Sequence, residues 1–219
     1  MYSMRCGLKA QKPTFRAYEQ SPRKVRKWLK EEYPAIKRKA QKQRGMVFWP
    51  DEAGMRSRHQ AGTTFAPKGK TPVLHRTGQR FSLHMISALS NPGRLIFVVV
   101  DGKFNGAVFL QFLDKLIKAA THKVFLIADS HPVHLEKKVG QWLEGHKGKI
   151  ELFFLPTYSP ALNPDEYFNQ DLKTNAVGRT SPRNKEQLIQ VVEAFSKGRM
   201  RNPQKVIKYF HAKAVRYAI

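Results

Sequence analysis

Residues 124–129 read Val-Phe-Leu-Ile-Ala-Asp, an unbroken apolar run that ends in an acid. Apolar residues without alternation are typical of a strand that is buried on both faces, as a central strand of a parallel sheet is. Residues 150–155 form a second run of this kind, and a helical pattern lies between the two. Strand and helix in alternation predict parallel strands joined by a crossover connection.

The part of the chain before this run has the pattern of antiparallel strands. Residues 46–50 are apolar and end in Asp51. Residues 81–89 and 94–100 are rich in β-forming residues and flank the turn Asn-Pro-Gly at 91–93, which predicts a hairpin. The order β-β-β-α-β-α-β-α-α predicts an α/β fold with one mixed five-stranded sheet and helices on both faces. Among known folds this order is similar to that of ribonuclease H.

The chain is strongly basic. Forty Lys and Arg against 16 Asp and Glu give a net charge of +24 over 219 residues. Self-repulsion of this size favours a polyanionic partner, and we expect nucleic acid. An anionic membrane surface is the alternative, but no apolar run approaches the roughly 18 residues of a membrane span. The expected DNA contacts are Arg23, Lys24, Arg26, Lys27, Lys68, Lys70, Lys173, Arg179 and Arg183, with Arg199 and Arg201 as further contributors.

The segment before residue 46 is basic and poor in apolar residues. A serine followed by a proline starts a helix at Pro22, and an apolar stripe that includes Trp28 lies on this helix. Pro34 should end or kink the helix. We interpret the segment as an arm that packs one face and offers the other to phosphates.

The single cysteine, Cys6, excludes an internal disulfide and a cysteine-based zinc site. No signal-peptide pattern opens the chain, so we expect a cytoplasmic, nucleoid-associated protein. His131 and His134 have the spacing of two zinc ligands, but no cysteine or third histidine is placed to join them.

Asp51 and Asp129 each follow an apolar strand, and ligands gather at the carboxyl ends of parallel strands. If these strands are neighbours, the two carboxylates repel each other unless a divalent cation lies between them, and oxygen ligands suit Mg²⁺ or Mn²⁺. The alternative is that each acid is an ordinary turn residue, as we expect for Asp101, which precedes a glycine. Glu52 should point to the opposite face from Asp51.

Residues 158–167 read Tyr-Ser-Pro-Ala-Leu-Asn-Pro-Asp-Glu-Tyr and hold a third acid, Glu166. With Asn163 as the cap and Pro164 first in a helix, Glu166 is the third helical residue. A capping box alone could explain a glutamate there, and Asp165 could complement the helix dipole.

Three blocks occur together: Phe-Trp-Pro-Asp-Glu-Ala-Gly at 48–54, Ile-Ala-Asp-Ser-His at 127–131, and residues 158–167. They resemble the catalytic blocks of the DDE transposases of the mariner superfamily, in its bacterial insertion-sequence branch. The resemblance covers roughly residues 8–215, and the third block is the most specific. It implies a ribonuclease H-like DDE catalytic domain over residues 44–219. Residues 1–43 would be a basic helical linker and the remnant of an N-terminal DNA-binding region.

The resemblance implies that Asp51, Asp129 and Glu166 are the catalytic carboxylates and hold two Mg²⁺ or Mn²⁺ ions. It implies hydrolysis at element ends and transfer of a 3′-hydroxyl into target DNA, by a homodimer assembled on DNA. One departure from the family pattern is Ser130, where many relatives have Asn. This difference affects at most a contact to one of the residues that bind the metal.

Relatives carry helix-turn-helix units upstream, and residues 7–13 resemble the end of such a unit. We expect a split or frameshifted element with a separate helix-turn-helix product, or a truncated copy. An overlapping upstream frame encoding that unit would support the first. Two other functions stay open: a ribonuclease H-like nuclease or resolvase, and an inactive nucleic-acid-binding remnant. Metal-dependent nicking and strand transfer separate the three.

Overall fold

The computed structural model describes residues 17–59, 65–73 and 75–219. The segment at 7–13 that resembles the end of a helix-turn-helix unit lies outside these residues. None of the helices in the described ranges combines the length and apolar character that a bilayer crossing requires.

Five strands form one mixed sheet with the order β3-β2-β1-β4-β5. β1 pairs antiparallel with β2, and β2 with β3, whereas β4 runs parallel to both β1 and β5. The predicted five-stranded mixed sheet is therefore confirmed. The strands are β1 (Met46–Arg56), β2 (Ser82–Leu89), β3 (Leu95–Val100), β4 (Val124–Ala128) and β5 (Ile150–Phe154).

The predicted hairpin joins β2 to β3, and its turn depends on Gly93. The φ angle of Gly93 is 94°, a left-handed conformation that favours glycine. A Cβ atom at this position would also lie 2.7 Å from the carbonyl oxygen of Pro203. Both the conformation and the close approach of a distant segment require glycine here.

The sequence predicted that strand β1 ends at Asp51. In the structure the strand continues to Arg56. The reason is its second half, which pairs with β2 so that Asp51 lies opposite Ser87. The parallel pairing with β4 ends earlier, at Phe48 opposite Leu126. Asp51 therefore lies where β1 extends past the end of its parallel neighbour.

Helices cover both faces of the sheet, as predicted. Alternate residues of β4 serve the two cores: Phe125 and Ile127 belong to one, and Val124 and Leu126 to the other. The first core contains α1, α2, α5, α7 and α8, and the second contains α3 and α4. The helices are α1 (Pro22–Lys27), α2 (Tyr33–Lys42), α3 (Gly106–Ala119), α4 (Lys137–Gly145), α5 (Asp165–Asp171), α6 (Gly178–Thr180), α7 (Lys185–Met200) and α8 (Pro203–Ile207).

The basic helix at the start of the described chain packs against the sheet. Trp28 is 1% exposed, and Tyr33 and Ile36 are also buried in the first core. Ser21 caps α1 through its side chain, as predicted. Because residues 22–42 share their core with the sheet, the division into residues 1–43 and 44–219 stays a prediction about ancestry rather than a boundary between two cores.

Of the two outcomes predicted for Pro34, an end of the first helix or a kink in it, the structure excludes the first. A π-helical segment (Trp28–Glu32) joins α1 to α2, and the helix continues to Lys42. The N–H of Tyr33 donates to the carbonyl of Trp28, five residues earlier. A proline lacks its own N–H and crowds the carbonyl four residues before it, and the wider π turn accommodates both effects.

Candidate active site

Asp51 and Asp129 lie on neighbouring parallel strands at the same edge of the sheet. The register pairs Met46 with Val124 and Phe48 with Leu126. The offset between these partners is the same as the offset between Asp51 and Asp129 in the sequence. Carried past the last pair, the register therefore places the two acids beside each other.

A cavity of about 400 Å³ opens at this edge. Asp51, Asp129 and Glu166 all contribute to its wall, so the fold brings the three predicted site residues to one cavity. The remaining wall comes from the start of the loop after β4 and from the segment between β5 and α5: Ser130, His131, Leu155, Pro156, Thr157, Tyr158, Ser159, Pro160 and Asn163.

The segment that carries Glu166 is fixed to β1 by Asn163. The side-chain Nδ2 of Asn163 donates to the carbonyl oxygen of Pro50 at 2.8 Å, and its Oδ1 accepts from the N–H of Asp165 at 3.0 Å. These contacts are buried, so they place the first turn of α5 next to the residue that precedes Asp51.

The alternative that Glu166 only completes a capping box is wrong. Oδ1 of Asn163 accepts from the N–H of Asp165 at the start of α5, but the reciprocal bond of a capping box, from Asn163 N–H to Glu166, is not formed. The N–H of Asn163, which a capping-box glutamate would accept from, donates to the carbonyl of Pro160 instead. The carboxylate of Glu166 lies in the cavity wall, where it is available to a ligand.

Two buried polar residues of α5 surround Asp51. The Nδ2 of Asn169 donates to Oδ2 of Asp51 at 2.8 Å. Asp165 is fully buried, and its Oδ1 accepts from the hydroxyl of Ser87 at 2.8 Å. Burial raises the pKa of Asp165 well above its usual range, against the Ser87 hydrogen bond, and the charge of Glu166 raises it further.

The cavity concentrates negative charge. Burial raises the pKa of Asp51 well above its usual range, and the nearby charges of Glu166 and Asp165 add to this effect. Burial also raises the pKa of Glu166, and Asp129 contributes in the same direction, while Lys173 opposes the shift. Such a group of carboxylates is stable only with bound protons or a bound cation, and an all-oxygen donor set fits Mg²⁺ or Mn²⁺.

Asp129 behaves differently from the other two acids. Burial alone would raise its pKa, but the hydrogen bond and the charge of His134 lower it below its usual value. Burial lowers the pKa of His134, but its contacts with Asp129 and Glu52 outweigh this and raise the pKa.

Glu52 and His134 were missed as partners of Asp129. Among the described residues, the group of three that offers possible metal-ligand atoms within 4.8 Å of one another is Glu52, Asp129 and His134. The sequence correctly predicted that Glu52 and Asp51 face opposite sides: Asp51 contacts Asn169, and Glu52 lies near His134. The available signal was that alternation together with the position of His134 five residues after Asp129.

Several of the predicted DNA contacts lie on exposed surface. Arg23, Lys24, Arg26 and Lys27 are exposed along α1, opposite the buried Trp28. The exposed residues Lys68, Lys70, Arg179 and Arg183 lie in loops or at a helix end, and Lys173 lies close enough to Glu166 to affect its pKa. Their contact with DNA stays a prediction.

Arg199, in contrast, has a structural role. Its guanidinium lies 2.9 Å from Oδ2 of Asp171 and donates through Nε to the hydroxyl of Tyr209 at 2.9 Å. Tyr209 also donates to the same Asp171 oxygen at 2.5 Å. The partly buried group joins α7 to the end of α5, so the side chain of Arg199 is engaged within the protein.

We expect Asp51→Asn to raise the melting temperature of the metal-free protein by about 2–4 °C, the shift that ~1 kcal/mol produces in a chain of this size. The folded-state pKa of Asp51 is raised, so the carboxylate costs stability above its unfolded pKa, and the cost grows as the pH rises towards the folded value. The gain should therefore be larger at about pH 8 than at about pH 5.

Differential scanning fluorimetry with EDTA or Mg²⁺ measures this effect. Mg²⁺ should raise the melting temperature of the wild type and leave Asp51→Asn unchanged, because the variant lacks a ligand. Asp101→Asn is the matched control, since Asp101 is an exposed acid after β3 whose carboxylate pairs with Lys185. A stabilisation of equal size in the control would contradict the explanation.

Comparison with known proteins gives one family and one fold. The family model of the DDE superfamily endonucleases matches residues 46–189. The structure of a Mos1 mariner paired end complex with Mn is similar with a TM-score of 0.66 and 14% identity, covering 99% of this chain and 69% of that chain. The Mos1 Strand Transfer Complex gives 0.65 and 16%, covering 99% and 68%.

The isolated catalytic domain of Mos1 mariner transposase gives a TM-score of 0.58 with 13% identity, covering 93% of this chain and 98% of that chain. At these identities the similarity shows the fold. No curated protein sequence matches the chain significantly. Because the family model spans about two thirds of its 219 residues, the chain belongs to the DDE superfamily endonucleases.

Proposed function

We propose that the chain is the catalytic part of a DNA transposase, which hydrolyses phosphodiester bonds at element ends and joins the resulting 3′-hydroxyl to target DNA. The observation that carries the proposal is the shared cavity of Asp51, Asp129 and Glu166 in a chain of the endonuclease family. The similar structures of Mos1 include a paired end complex and a strand transfer complex, and these support the substrate.

The cofactor proposed is a pair of Mg²⁺ or Mn²⁺ ions held by the three carboxylates. Structures of the Mos1 paired end complex with Mn and with Mg support this choice. When bound, such ions activate the attacking water or 3′-hydroxyl and stabilise the leaving oxygen.

The residues around the cavity position this donor set. Asn169 orients the carboxylate of Asp51 through its hydrogen bond to Oδ2. Asn163 holds the start of α5 against β1 and so fixes the distance of Glu166 from the strand ends. Lys173 lies near Glu166 and adds positive charge where a phosphate would enter.

The proposed partners are element ends, target DNA and a second copy of this chain, because two ends must be brought together before they are joined. We also propose that the element belongs to the bacterial insertion-sequence branch. The three sequence blocks at 48–54, 127–131 and 158–167 support the branch.

Strand transfer tests the proposal. The purified chain is incubated with Mg²⁺, supercoiled plasmid and labelled duplexes that carry the inverted repeats flanking the gene and a free 3′-hydroxyl. Covalent joining of the label to the plasmid is the expected result. Nicking without joining would indicate a nuclease or resolvase, and binding without nicking an inactive nucleic-acid-binding protein, and either outcome overturns the proposal.

A further inference from the structure

His134 is a buried histidine that contacts Asp129 at two points. It lies in a 3₁₀ turn (Pro132–Leu135) after β4 and is 3% exposed. Its Nδ1 lies 3.0 Å from the carbonyl oxygen of Asp129 and 3.1 Å from the carboxylate Oδ1. A carbonyl oxygen only accepts, so Nδ1 carries a hydrogen, and this one donor serves both the backbone and the side chain of Asp129.

The other edge of the same ring faces Glu52. Nε2 of His134 lies 3.9 Å from Oε2 of Glu52, and both atoms are buried without a hydrogen-bond partner in the described part of the protein. His131 lies 3.6 Å from the second carboxylate oxygen of Glu52. Two buried polar atoms at this separation reach a hydrogen bond with a small shift, and leaving them unpaired is costly.

Aromatic packing fixes the plane of the imidazole. The ring centroid of Phe109, on α3, lies 4.4 Å from that of His134. The ring centroid of Phe104 lies 6.3 Å from that of His134, with the two rings edge to face. Phe109 is itself fully buried. The imidazole therefore keeps one orientation, with Nδ1 towards Asp129 and Nε2 towards Glu52.

This orientation argues against a metal ion held by Glu52, Asp129 and His134 together. The two ring nitrogens flank Cε1 and point in divergent directions, and each already faces one of the acids. Nδ1 is a hydrogen-bond donor to Asp129 and has no lone pair for a cation.

We propose that His134 and Glu52 are positioning residues: His134 holds the carboxylate of Asp129 at the cavity, and Glu52 holds His134. Residues that orient a metal ligand through its hydrogen bonds change metal affinity by about 10–100-fold when they are replaced. The proposal rests on the proposed function, since it takes Asp129 to be a ligand of the divalent ions.

The test is a Mn²⁺ titration of the complete chain without DNA, followed by electron paramagnetic resonance, with Mn²⁺-dependent nicking of plasmid as a second readout. His134→Leu should weaken Mn²⁺ binding by about 10–100-fold and leave nicking at saturating Mn²⁺ much less affected. His134→Asn should recover part of the loss, because its amide nitrogen can donate near the position of Nδ1. Glu52→Gln should give a smaller weakening.

His146→Asn is the matched control. Nδ1 of His146 also faces a backbone carbonyl, that of Trp142 at 2.8 Å, but His146 has no contact with the carboxylate of Asp129 like that of His134. Melting temperatures show which variants are folded, and His134→Asn and Glu52→Gln carry the test if His134→Leu does not fold.

The outcomes separate this proposal from the proposed function. Mn²⁺ binding by folded His134 variants equal to that of the wild type, or no difference between His134→Asn and His134→Leu, overturns the positioning role. Nitrogen hyperfine coupling to Mn²⁺ that is present in the wild type and in His131→Asn but lost in His134→Asn would show that His134 binds the ion directly, and would overturn it too. If Asp129→Ala binds Mn²⁺ as the wild type does, the proposed function itself fails, and this inference fails with it.

Discussion

Replacing Asp129 by alanine is expected to reduce DNA strand cleavage by about 10³-fold or more, with no comparable loss of DNA binding. The loss corresponds to several kcal/mol of transition-state stabilisation, which is what bound divalent ions supply. Asp51→Ala and Glu166→Ala should have the same effect, because all three carboxylates line one cavity. Cleavage of labelled duplex in Mg²⁺ and DNA binding by fluorescence anisotropy measure the two quantities.

Asp101→Ala is the matched control for these substitutions. Asp101 also follows an apolar strand, but it lies outside the cavity wall and its carboxylate pairs with Lys185. Its replacement should leave the cleavage rate within about twofold of the wild type, as for a surface substitution. If the Asp129→Ala protein still cleaves the labelled duplex in Mg²⁺, the assignment of the three carboxylates is wrong.

Affinity for nonspecific duplex DNA is expected to fall by about 10³–10⁵ between roughly 50 and 200 mM salt, if the protein neutralises six to ten phosphates. The net charge of +24 supplies more than enough cations for such a footprint. Binding releases the counterions condensed on DNA, so the logarithm of the affinity falls linearly with the logarithm of the salt concentration, by about 0.9 per phosphate.

The exposed face of α1 should account for part of this slope. Replacing the four cations of α1 with alanine should lower the slope by about 0.9 for each phosphate they contact. The control replaces four exposed lysines in or next to α3 and α4, which cover the other face of the sheet. An equal change in both variants would show that the effect reflects total charge rather than a surface on α1. The α1 set is Arg23, Lys24, Arg26 and Lys27, and the control set is Lys103, Lys118, Lys137 and Lys149.

Much of the sheet could be predicted because its strands have strong local patterns. The run at 124–128 lacks alternation because its residues divide between two cores, and the structure uses both faces. The extension of β1 beyond Asp51 could not be predicted in this way, since it depends on pairing with β2. The continuation of the helix past Pro34 could not be predicted for a similar reason, because the π turn before Pro34 depends on the burial of Trp28 and Tyr33 in the core.

The site residues likewise include some that a local sequence pattern predicts and others that depend on contacts between distant parts of the chain. Asp51, Asp129 and Glu166 stand in recognisable blocks. To place Asp51 beside Asp129 needed only the assumption that the two apolar strands before them are parallel neighbours. The alternation at residues 51–52 places Glu52 on the other face of β1, but its contact with His134 joins distant parts of the chain and depends on the pairing of β1 with β4. Arg199 looked like any other surface cation until its packing against Asp171 and Tyr209 was known.

We propose that Asp51, Asp129 and Glu166 together hold divalent ions at the end of the parallel strands. A crystal of the protein soaked in Mn²⁺, with data collected at the manganese absorption edge, would locate these ions. We expect anomalous peaks within coordination distance of all three carboxylates. Manganese bound to Glu52 and His134 instead, or to Asp129 without Asp51 and Glu166, would contradict it.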